Sequence, residues 1–281
     1  MSFRFNFSGD QAVDNKVSAE QVIHWLPSLQ VIPDKQIEEL DNIVGQAKMF
    51  TCGEVEIGHV VVSDAISNIN KQSSEIASNF VREPNSDLVT GIYEGGLKIW
   101  ECTSDLIQYL NENIHSINLN DKNVLDLGCG AGILGIYTFT KGANVTFQDY
   151  NKEVLEYVTI PNVLLNIEDE ERKEHIKKCT FYSGDWASFN NNLMENVVYD
   201  LILTSETIYN ETNYDKLIAL FRQRLSIEGS IYVAAKTCYF GVGGGIRQFE
   251  RAINKSNIFQ CVTAWKNTDG IQREILKITR K

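Results

Sequence analysis

A short apolar segment that runs into a glycine-rich turn constrains the fold of this chain most. Residues 123–129 predict a buried strand, and Gly130, Gly132 and Gly135 follow within a few positions. Glycine is needed where a ligand must approach the backbone, because a Cβ atom would block that approach. Residues 132–141 then predict a helix. The segment therefore indicates a strand, a ligand-binding turn and a helix in succession.

From Leu88 onward, predicted strands and helices alternate along the chain. Strands are predicted at residues 123–129, 144–149, 179–183, 199–204, 230–235, 259–266 and 273–279. Helices are predicted at residues 99–113, 132–141, 152–166, 213–224 and 246–254. Strands separated by helices of about 10–15 residues form parallel βαβ units. The fold class is therefore α/β, with a doubly wound, seven-stranded and mostly parallel sheet. A short turn at Thr268–Gly270 predicts a final hairpin, which requires one antiparallel strand.

Residues 1–87 differ in pattern and are predicted to form an N-terminal α/β extension and linker, with residues 88–281 as the main domain. Ser18 to Gln21 has capping-box spacing, which predicts a helix that ends at Pro27. The apolar spacing of residues 34–49 predicts a second helix, and residues 54–62 predict a strand. Residues 67–87 are polar and contain Pro84, which indicates a linker.

The charge and composition exclude several classes of protein. The formal net charge is −11 without any block of lysine and arginine, so direct binding to nucleic acid is not expected. An acidic surface favours a basic protein partner, although it also serves solubility. No stretch reaches the ~18 apolar residues of a membrane helix. The six cysteines form no C-x-x-C pair, so we expect no metal site and a reducing cytoplasm or nucleus. We also expect a monomer.

The glycine turn alone does not identify its ligand. Its glycines also satisfy the dinucleotide fingerprint G-x-G-x-x-G, with Asp149 about 20 residues further on. Asp126, two residues before Gly128, favours S-adenosylmethionine. A carboxylate at the mouth of the cleft would repel a pyrophosphate but would attract an ammonium and a sulfonium group. The loop residues assigned to this cofactor are Asp126, Gly128, Cys129 and Gly130.

Acidic residues at the ends of the next two strands support the same cofactor. Asp149 ends the second strand of the domain and can accept hydrogen bonds from both ribose hydroxyls. Gly184, Asp185 and Trp186 follow the third strand. There the carboxylate can reach the adenine amino group while the indole covers the ring.

Longer strings of residues resemble the protein-histidine methyltransferase family, which has the seven-strand, class I methyltransferase fold. The resemblance covers most of residues 86–281 and rests on Ser86 to Thr103, the glycine loop, Phe147 to Asn151, residues 183–186, Tyr199 to Asn210 and Tyr239 to Gly245. It implies methylation of a histidine in a large-subunit ribosomal protein. It also implies further cofactor contacts from Ile99, Trp100, Glu101, Cys102, Thr103, Tyr150, Asn151 and Ser205.

Candidate acceptor-binding residues follow the fourth strand, where open α/β sheets place their ligands. We expect Glu206 to hold the N–H of the acceptor imidazole and to stabilise the imidazolium as it forms. Tyr209 is expected to stack on the target ring or to form a hydrogen bond with it. Glycines at positions 241, 243, 244 and 245 follow the fifth strand and favour a flexible lid over the peptide.

Three alternative functions remain open from the sequence. A lysine methyltransferase on the same fold is the nearest, since nothing in residues 205–209 excludes a lysine acceptor. An inactive, cofactor-binding chaperone of a ribosomal protein would use the acidic charge equally well. An NAD-linked oxidoreductase would use the glycine turn.

Overall fold

The computed structural model describes residues 24–71, 91–113 and 117–281. Its strands are β1 (Leu29–Val31), β2 (Ala47–Cys52), β3 (Val55–Val60), β4 (Asn123–Leu127), β5 (Asn144–Asp149), β6 (Cys179–Ser183), β7 (Tyr199–Ser205), β8 (Leu225–Lys236), β9 (Phe259–Lys266) and β10 (Arg273–Arg280). Within the described residues, eight of them form one sheet in the order β1-β6-β5-β4-β7-β8-β10-β9. The other two, β2 and β3, pair with each other as a separate hairpin.

The central strands of the large sheet are parallel, and its two flanks are not. β4 pairs in parallel with β5 and β7, and the pairs β5–β6 and β7–β8 are also parallel. β10 runs antiparallel to both β8 and β9, and β1 runs antiparallel to β6. The predicted doubly wound, mostly parallel sheet and its final hairpin are therefore confirmed. β1 is an eighth strand that the sequence did not predict.

Helices cover both faces of the sheet. Their bounds are Asp34–Glu38, Leu40–Ile43, Val62–Asn70, Glu101–Glu112, Ile133–Thr140, Lys152–Val154, Ile160–Leu165, Arg172–His175, Trp186–Asn192, Tyr214–Arg224 and Ile246–Lys255. Single 3₁₀ turns occur at Asp169–Glu171, Ile176–Lys178 and Glu211–Asn213. No helix in the described ranges is long and apolar enough to cross a membrane.

The core is divided by the sheet into two apolar clusters. Successive side chains of a strand point to opposite faces, so Val124 joins one cluster while Leu125 joins the other. Helices Glu101–Glu112 and Ile133–Thr140 pack on the first face, and helices Tyr214–Arg224 and Ile246–Lys255 pack on the second. Packing of the sheet between these two layers of helices holds the carboxyl ends of the parallel strands together at one edge.

One helix contains a π-helical turn that supports the glycine loop. Residues 152–165 are helical throughout, as predicted, but Leu155–Thr159 is a turn of π-helix. The Thr159 hydroxyl donates a hydrogen bond of 2.6 Å to the carbonyl of Gly130, and Asn162 donates one of 2.8 Å to the carbonyl of Ala131. Such turns often occur at functional sites, and this one fixes the loop after β4.

The N-terminal part differs from its prediction. The predicted helix over residues 34–49 is two short helices followed by β2, because the helical apolar spacing stops at Val44 and β3 offers a pairing partner. Residues 67–70 of the predicted linker belong to helix Val62–Asn70, and residues 72–87 lie outside the described residues. The domain boundary at residue 87 thus stays a prediction.

The predicted helix over residues 18–27 lies largely outside the described residues. Of it, residues 24–27 are described and are not helical. They lead into β1, whose Val31 pairs with Phe181 of β6 and whose Leu29 pairs with Ser183. The extension therefore adds a strand to the main sheet.

Candidate functional site

A cleft of about 830 Å³ lies where β4, β5, β6 and β7 end. Open α/β sheets bind ligands at this edge because the strand order reverses there. Fourteen of the predicted site residues line the cleft: Ile99, Trp100, Thr103, Gly128, Cys129, Gly130, Asp149, Tyr150, Gly184, Asp185, Trp186, Ser205, Glu206 and Tyr209. The sheet therefore brings together segments that are up to about a hundred residues apart in the chain.

The loop after β4 can be built only with glycine. Gly128, Gly130 and Gly132 have φ angles of +66°, +49° and +75°, which side chains disfavour. A Cβ at Gly128 would lie 2.6 Å from Cγ2 of Thr207, and one at Gly130 would lie 3.0 Å from the carbonyl oxygen of Gly96. The bare backbone thus faces the cleft and admits a ligand at close range.

Asp149 ties this loop to the end of β5. Its carboxylate accepts hydrogen bonds from the backbone N–H of Gly130 at 2.9 Å and of Asn151 at 3.0 Å. The pKa of Asp149 is raised to about 6, mainly by burial and in smaller part by the nearby Glu94, while the backbone hydrogen bonds oppose the rise. The carboxylate is therefore ionised at neutral pH and available to hydroxyl donors.

Gln148 joins three segments of the cleft. No pattern in the sequence indicated it as a site residue. It is fully buried in β5. Its Nε2 donates a hydrogen bond of 2.7 Å to the Gly184 carbonyl, and its Oε1 accepts one of 2.9 Å from the indole of Trp186. The same oxygen accepts a longer bond of 3.4 Å from the N–H of Gly128. Gln148 thereby fixes the orientation of the Trp186 ring.

Asp185 already has protein partners on both carboxylate oxygens. Oδ2 accepts a hydrogen bond of 3.0 Å from the N–H of Ala187 and so caps helix Trp186–Asn192. Oδ1 lies 2.5 Å from the ammonium of Lys216. Each oxygen can accept a further bond, so the predicted contact with an adenine amino group stays a prediction.

Asp126 does not face the cleft, contrary to the prediction. It is 1% exposed and accepts a hydrogen bond of 2.8 Å from the N–H of Gly135. The alternation of β4 places it beneath helix Ile133–Thr140. Burial raises the pKa of Asp126 to about 8, and Asp149 adds to the rise while the Gly135 bond opposes it. A neutral, enclosed carboxyl cannot attract a cationic ligand from the cleft.

Three further predicted contacts also lie away from the cleft. The side chain of Glu101 is 58% exposed and lies 3.9 Å from Arg273, whereas Cys102 is fully buried, because successive positions of a helix point in different directions. Asn151 is buried as well, and it bonds to the carbonyl of Ile92 and the N–H of Glu94. Of the three, Asn151 supports the cleft indirectly, because it bonds to the backbone of the lining residue Glu94.

Glu206 has an incompletely satisfied carboxylate. It is 8% exposed and has a φ of +59°, an uncommon conformation for a residue with a side chain. Oε2 accepts a hydrogen bond of 2.5 Å from the hydroxyl of Tyr239. Oε1 has no hydrogen-bond partner among the described residues, and the ammonium of Lys236 lies 3.8 Å away. The carboxylate therefore has one buried oxygen to which no described residue donates a hydrogen bond, beside the lysine ammonium.

Tyr209 is held by another acidic residue of the cleft, Glu94. The Tyr209 hydroxyl donates a hydrogen bond to Oε2 of Glu94, whose Oε1 accepts one of 2.7 Å from the N–H of Gly91. Burial and the adjacent Glu94 raise the pKa of Tyr209, so its hydroxyl stays protonated. The rings of Tyr209 and Tyr239 meet edge to face, with centroids 6.3 Å apart.

The glycine segment after β8 rests on Tyr209. The N–H of Gly244 donates a hydrogen bond of 2.9 Å to the carbonyl of Tyr209, while Gly241 and Gly243 face open space. Directly before these glycines, the Phe240 side chain is 93% exposed. The predicted movement of this segment as a lid stays a prediction.

Several residues of the cleft were not selected from the sequence. They are Trp25, Glu94, Gly95, Gly96, Lys98, Ala131, Ile133, Leu134, Thr207 and Asn213. The segment containing Glu94 was noted for its resemblance, but its carboxylate had no spacing that indicated a role. Trp25 was assigned only to the predicted helix that ends at Pro27, and nothing in that pattern indicated a place in the cleft.

Comparisons with known proteins identify similar sequences. A family model described as lysine methyltransferase matches residues 87–241. A histidine protein methyltransferase 1 homologue from Dictyostelium discoideum is 46% identical over 198 residues, covering 70% of this chain and 61% of that protein. The Bos taurus homologue is 42% identical, covering 70% of this chain and 58% of that protein.

A more distant relative matches over a longer region. Histidine protein methyltransferase 1 from Saccharomyces cerevisiae is 30% identical over 298 aligned positions, covering 86% of this chain and 79% of that protein. The chain spans about three fifths of the length of the Dictyostelium and Bos relatives. The family model, which matches residues 87–241, includes every lining residue of the cleft except Trp25.

Proposed function

Because this chain belongs to the family of protein methyltransferases that includes histidine protein methyltransferase 1, we propose that it methylates a histidine imidazole with S-adenosylmethionine as the methyl donor. The proposed substrate is a large-subunit ribosomal protein. The chain is proposed to act on it as a monomer in the cytoplasm or nucleus. The formal net charge of −11 supports a basic substrate, because opposite charges accelerate encounter.

The residues of the cleft fit S-adenosylmethionine. The bare backbone of Gly128 and Gly130 would contact the cofactor, Asp149 would accept hydrogen bonds from its ribose, and Trp186 would cover its adenine. When bound, the cofactor supplies a methyl group activated by a sulfonium. The chain must therefore mainly align the acceptor and exclude water.

The free oxygen of Glu206 is the observation that carries the proposal for the acceptor. A buried acceptor without a partner costs about 1–3 kcal/mol, and more when charged. An imidazole N–H would satisfy Oε1, and it would fix the tautomer whose other nitrogen is free to attack. The carboxylate would then stabilise the imidazolium and hold its proton. Tyr239, bonded to Oε2, keeps the carboxylate in place.

The position of Lys236 favours histidine over lysine as the acceptor. A lysine side chain, with an unperturbed pKa of about 10.4, arrives as an ammonium. It would meet the Lys236 ammonium, which lies 3.8 Å from the free oxygen of Glu206. A histidine, with a pKa of about 6.5, is largely neutral at pH 7 and meets no such repulsion.

Lysine methylation is the second candidate, because the matching family model is described as lysine methyltransferase. Purified large-subunit ribosomal proteins, incubated with the chain and S-adenosylmethionine, separate the two by mass spectrometry. Fragment ions that place the methyl group on a histidine support the proposal. A methyl group on lysine alone would replace it.

Variants of Glu206 test the acceptor role directly. Glu206→Gln and Glu206→Ala should lower turnover about tenfold to a hundredfold, because a charge-assisted hydrogen bond is lost. Calorimetry with S-adenosylhomocysteine serves as the control, since its affinity should change little. Near-wild-type turnover in both variants would remove Glu206 from the mechanism.

A further inference from the structure

Residues 24–31 lie against the ends of β5 and β6, beside the cleft. The N–H of Leu26 donates a hydrogen bond of 3.1 Å to the hydroxyl oxygen of Tyr150. The carbonyl of Leu26 accepts a hydrogen bond of 2.9 Å from the N–H of Asp185. Further along, the N–H of Ser28 donates to the hydroxyl of Ser188 at 2.8 Å. This segment is therefore fixed by backbone bonds to two loops of the cleft.

Gly184 shows how tightly the segment is seated. A Cβ at this position would lie 2.5 Å from the carbonyl oxygen of Pro27 and 2.6 Å from Cα of Ser28. The φ of Gly184 is +98°, which also requires glycine. The glycine after β6 is thus needed to admit the N-terminal segment, whatever ligand the cleft holds.

Trp25 projects from this segment into the cleft wall. Its ring meets Tyr150 edge to face at 90°, with centroids 6.1 Å apart. The Lys216 ammonium lies 3.5 Å from the centre of the Trp25 ring, well within the range of a cation–π contact. Although Trp25 lines the cleft, it belongs to neither apolar core cluster and stays partly exposed.

Lys216 connects the indole to the acidic residue of the third loop. The same ammonium that covers Trp25 lies 2.5 Å from Oδ1 of Asp185. Tyr150, Trp25, Lys216 and Asp185 therefore form a continuous series of contacts, in which all but Lys216 line the cleft. Such a series holds the indole in one orientation without burying it.

We propose that Trp25, oriented by Lys216 and Tyr150, is a cofactor-binding residue, so that residues 24–31 complete the nucleoside end of the cofactor site. This inference rests on the proposed function. An aromatic ring left partly open next to Asp149, Gly184 and Trp186 gives a nucleoside a further apolar surface. A tryptophan with a purely structural role would instead be packed into the core.

Calorimetry with S-adenosylhomocysteine tests the role of Trp25 in the full chain. Trp25→Ala should weaken binding about tenfold, since an aromatic contact and its buried area are lost. Leu29→Ala is the matched control, because Leu29 lies on the same segment but is 55% exposed and outside the cleft. Its affinity should equal that of the unmutated chain. Equal affinity of Trp25→Ala would overturn the inference while leaving the proposed function intact.

Hydrogen exchange on the unmutated chain gives a second readout that does not depend on how a variant folds. Backbone amides of residues 24–31 should exchange more slowly once S-adenosylhomocysteine is bound, because the ligand holds Trp25 in place. Unchanged exchange there, alongside protection of the loop at Gly128, would overturn the inference alone. If the unmutated chain shows no binding of S-adenosylhomocysteine, the proposed function fails first and the inference fails with it.

Discussion

The hydroxyl of Tyr239 donates a hydrogen bond of 2.5 Å to one oxygen of Glu206, and the other oxygen has no hydrogen-bond partner among the described residues. The carboxylate is thus held by Tyr239 on one oxygen, while its other, buried oxygen has the Lys236 ammonium 3.8 Å away. Burial and Glu206 raise the pKa of Tyr239, so the tyrosine keeps the proton it donates. This arrangement suits a methyl acceptor that donates an N–H hydrogen bond to the second oxygen of Glu206.

Tyr239→Phe should slow methyl transfer about tenfold without altering cofactor binding. The substitution removes the donor that positions Glu206, and a hydrogen bond to a charged group is worth about 1.5–3 kcal/mol. Single-turnover kinetics would measure the transfer step, and calorimetry with S-adenosylhomocysteine would measure binding. Weaker binding with normal transfer would show that Tyr239 supports the cofactor side instead.

Gln148→Met should weaken S-adenosylhomocysteine about tenfold and change the fluorescence of Trp186. The volume is conserved, but the Trp186 indole and the Gly184 carbonyl lose their buried partner. Thr146→Val, on the same strand and outside the cleft, is the control and should leave both signals unchanged. If Gln148→Met bound normally, the orientation of the indole would not matter for the ligand.

Cofactor affinity should depend on pH through Asp149. Its pKa is raised to about 6, so the carboxylate is ionised above that value and protonated below it. Since the ionised form accepts hydrogen bonds from hydroxyl groups, binding should be constant above about pH 7 and weaken as the pH falls through 6. Calorimetry between pH 5 and pH 8 would detect the step, which Asp149→Asn should abolish. A step that persists in this variant would have to come from another group.

Asp126→Asn should stabilise the ligand-free chain by a margin that grows with pH. The pKa of Asp126 in the folded chain, about 8, exceeds the ordinary aspartate value of about 3.9. The stability that the neutral carboxyl contributes is fully present below about pH 4 and is lost as the pH rises to 8. The asparagine variant does not lose this stability. The difference in the free energy of unfolding between the variant and the unmutated chain should therefore grow by up to about 1.4 kcal/mol per pH unit.

Thermal melts from pH 5 to pH 9 would measure this difference. Asp269→Asn, in the exposed turn between β9 and β10, is the matched control and should show a constant offset. The same constant offset for Asp126→Asn would mean that Asp126 is ionised throughout the range.

The elements of the main sheet could be predicted because their apolar pattern and their pairing agree. β5 and β6 have the predicted bounds, and each lies between two neighbouring strands of the sheet with Val145, Phe147 and Phe181 buried. β1 and β2 could not be predicted in this way. β1 has only three residues and β2 begins within a predicted helix, and both become strands because β6 and β3 offer hydrogen-bonding edges, which is a tertiary effect.

The site was predictable where glycines and strand ends mark it, and less so elsewhere. Gly128, Gly130 and Asp149 line the cleft as expected. Asp126 does not, because the direction of a side chain depends on strand alternation and on the helix above it. Glu94 and Trp25 enter the cleft from segments whose place is set by packing, so local spacing could not reveal them.

The antiparallel addition of β1 to β6 also affects how the molecule meets other copies of itself. Without residues 29–31, β6 would present a row of unpaired backbone groups at the border of the sheet, and such borders recruit strands from other chains. A three-residue strand closes that border while offering little length for further pairing. The segment that completes the cleft wall thus also guards the molecule against aggregation, so its loss would reduce solubility as well as ligand affinity.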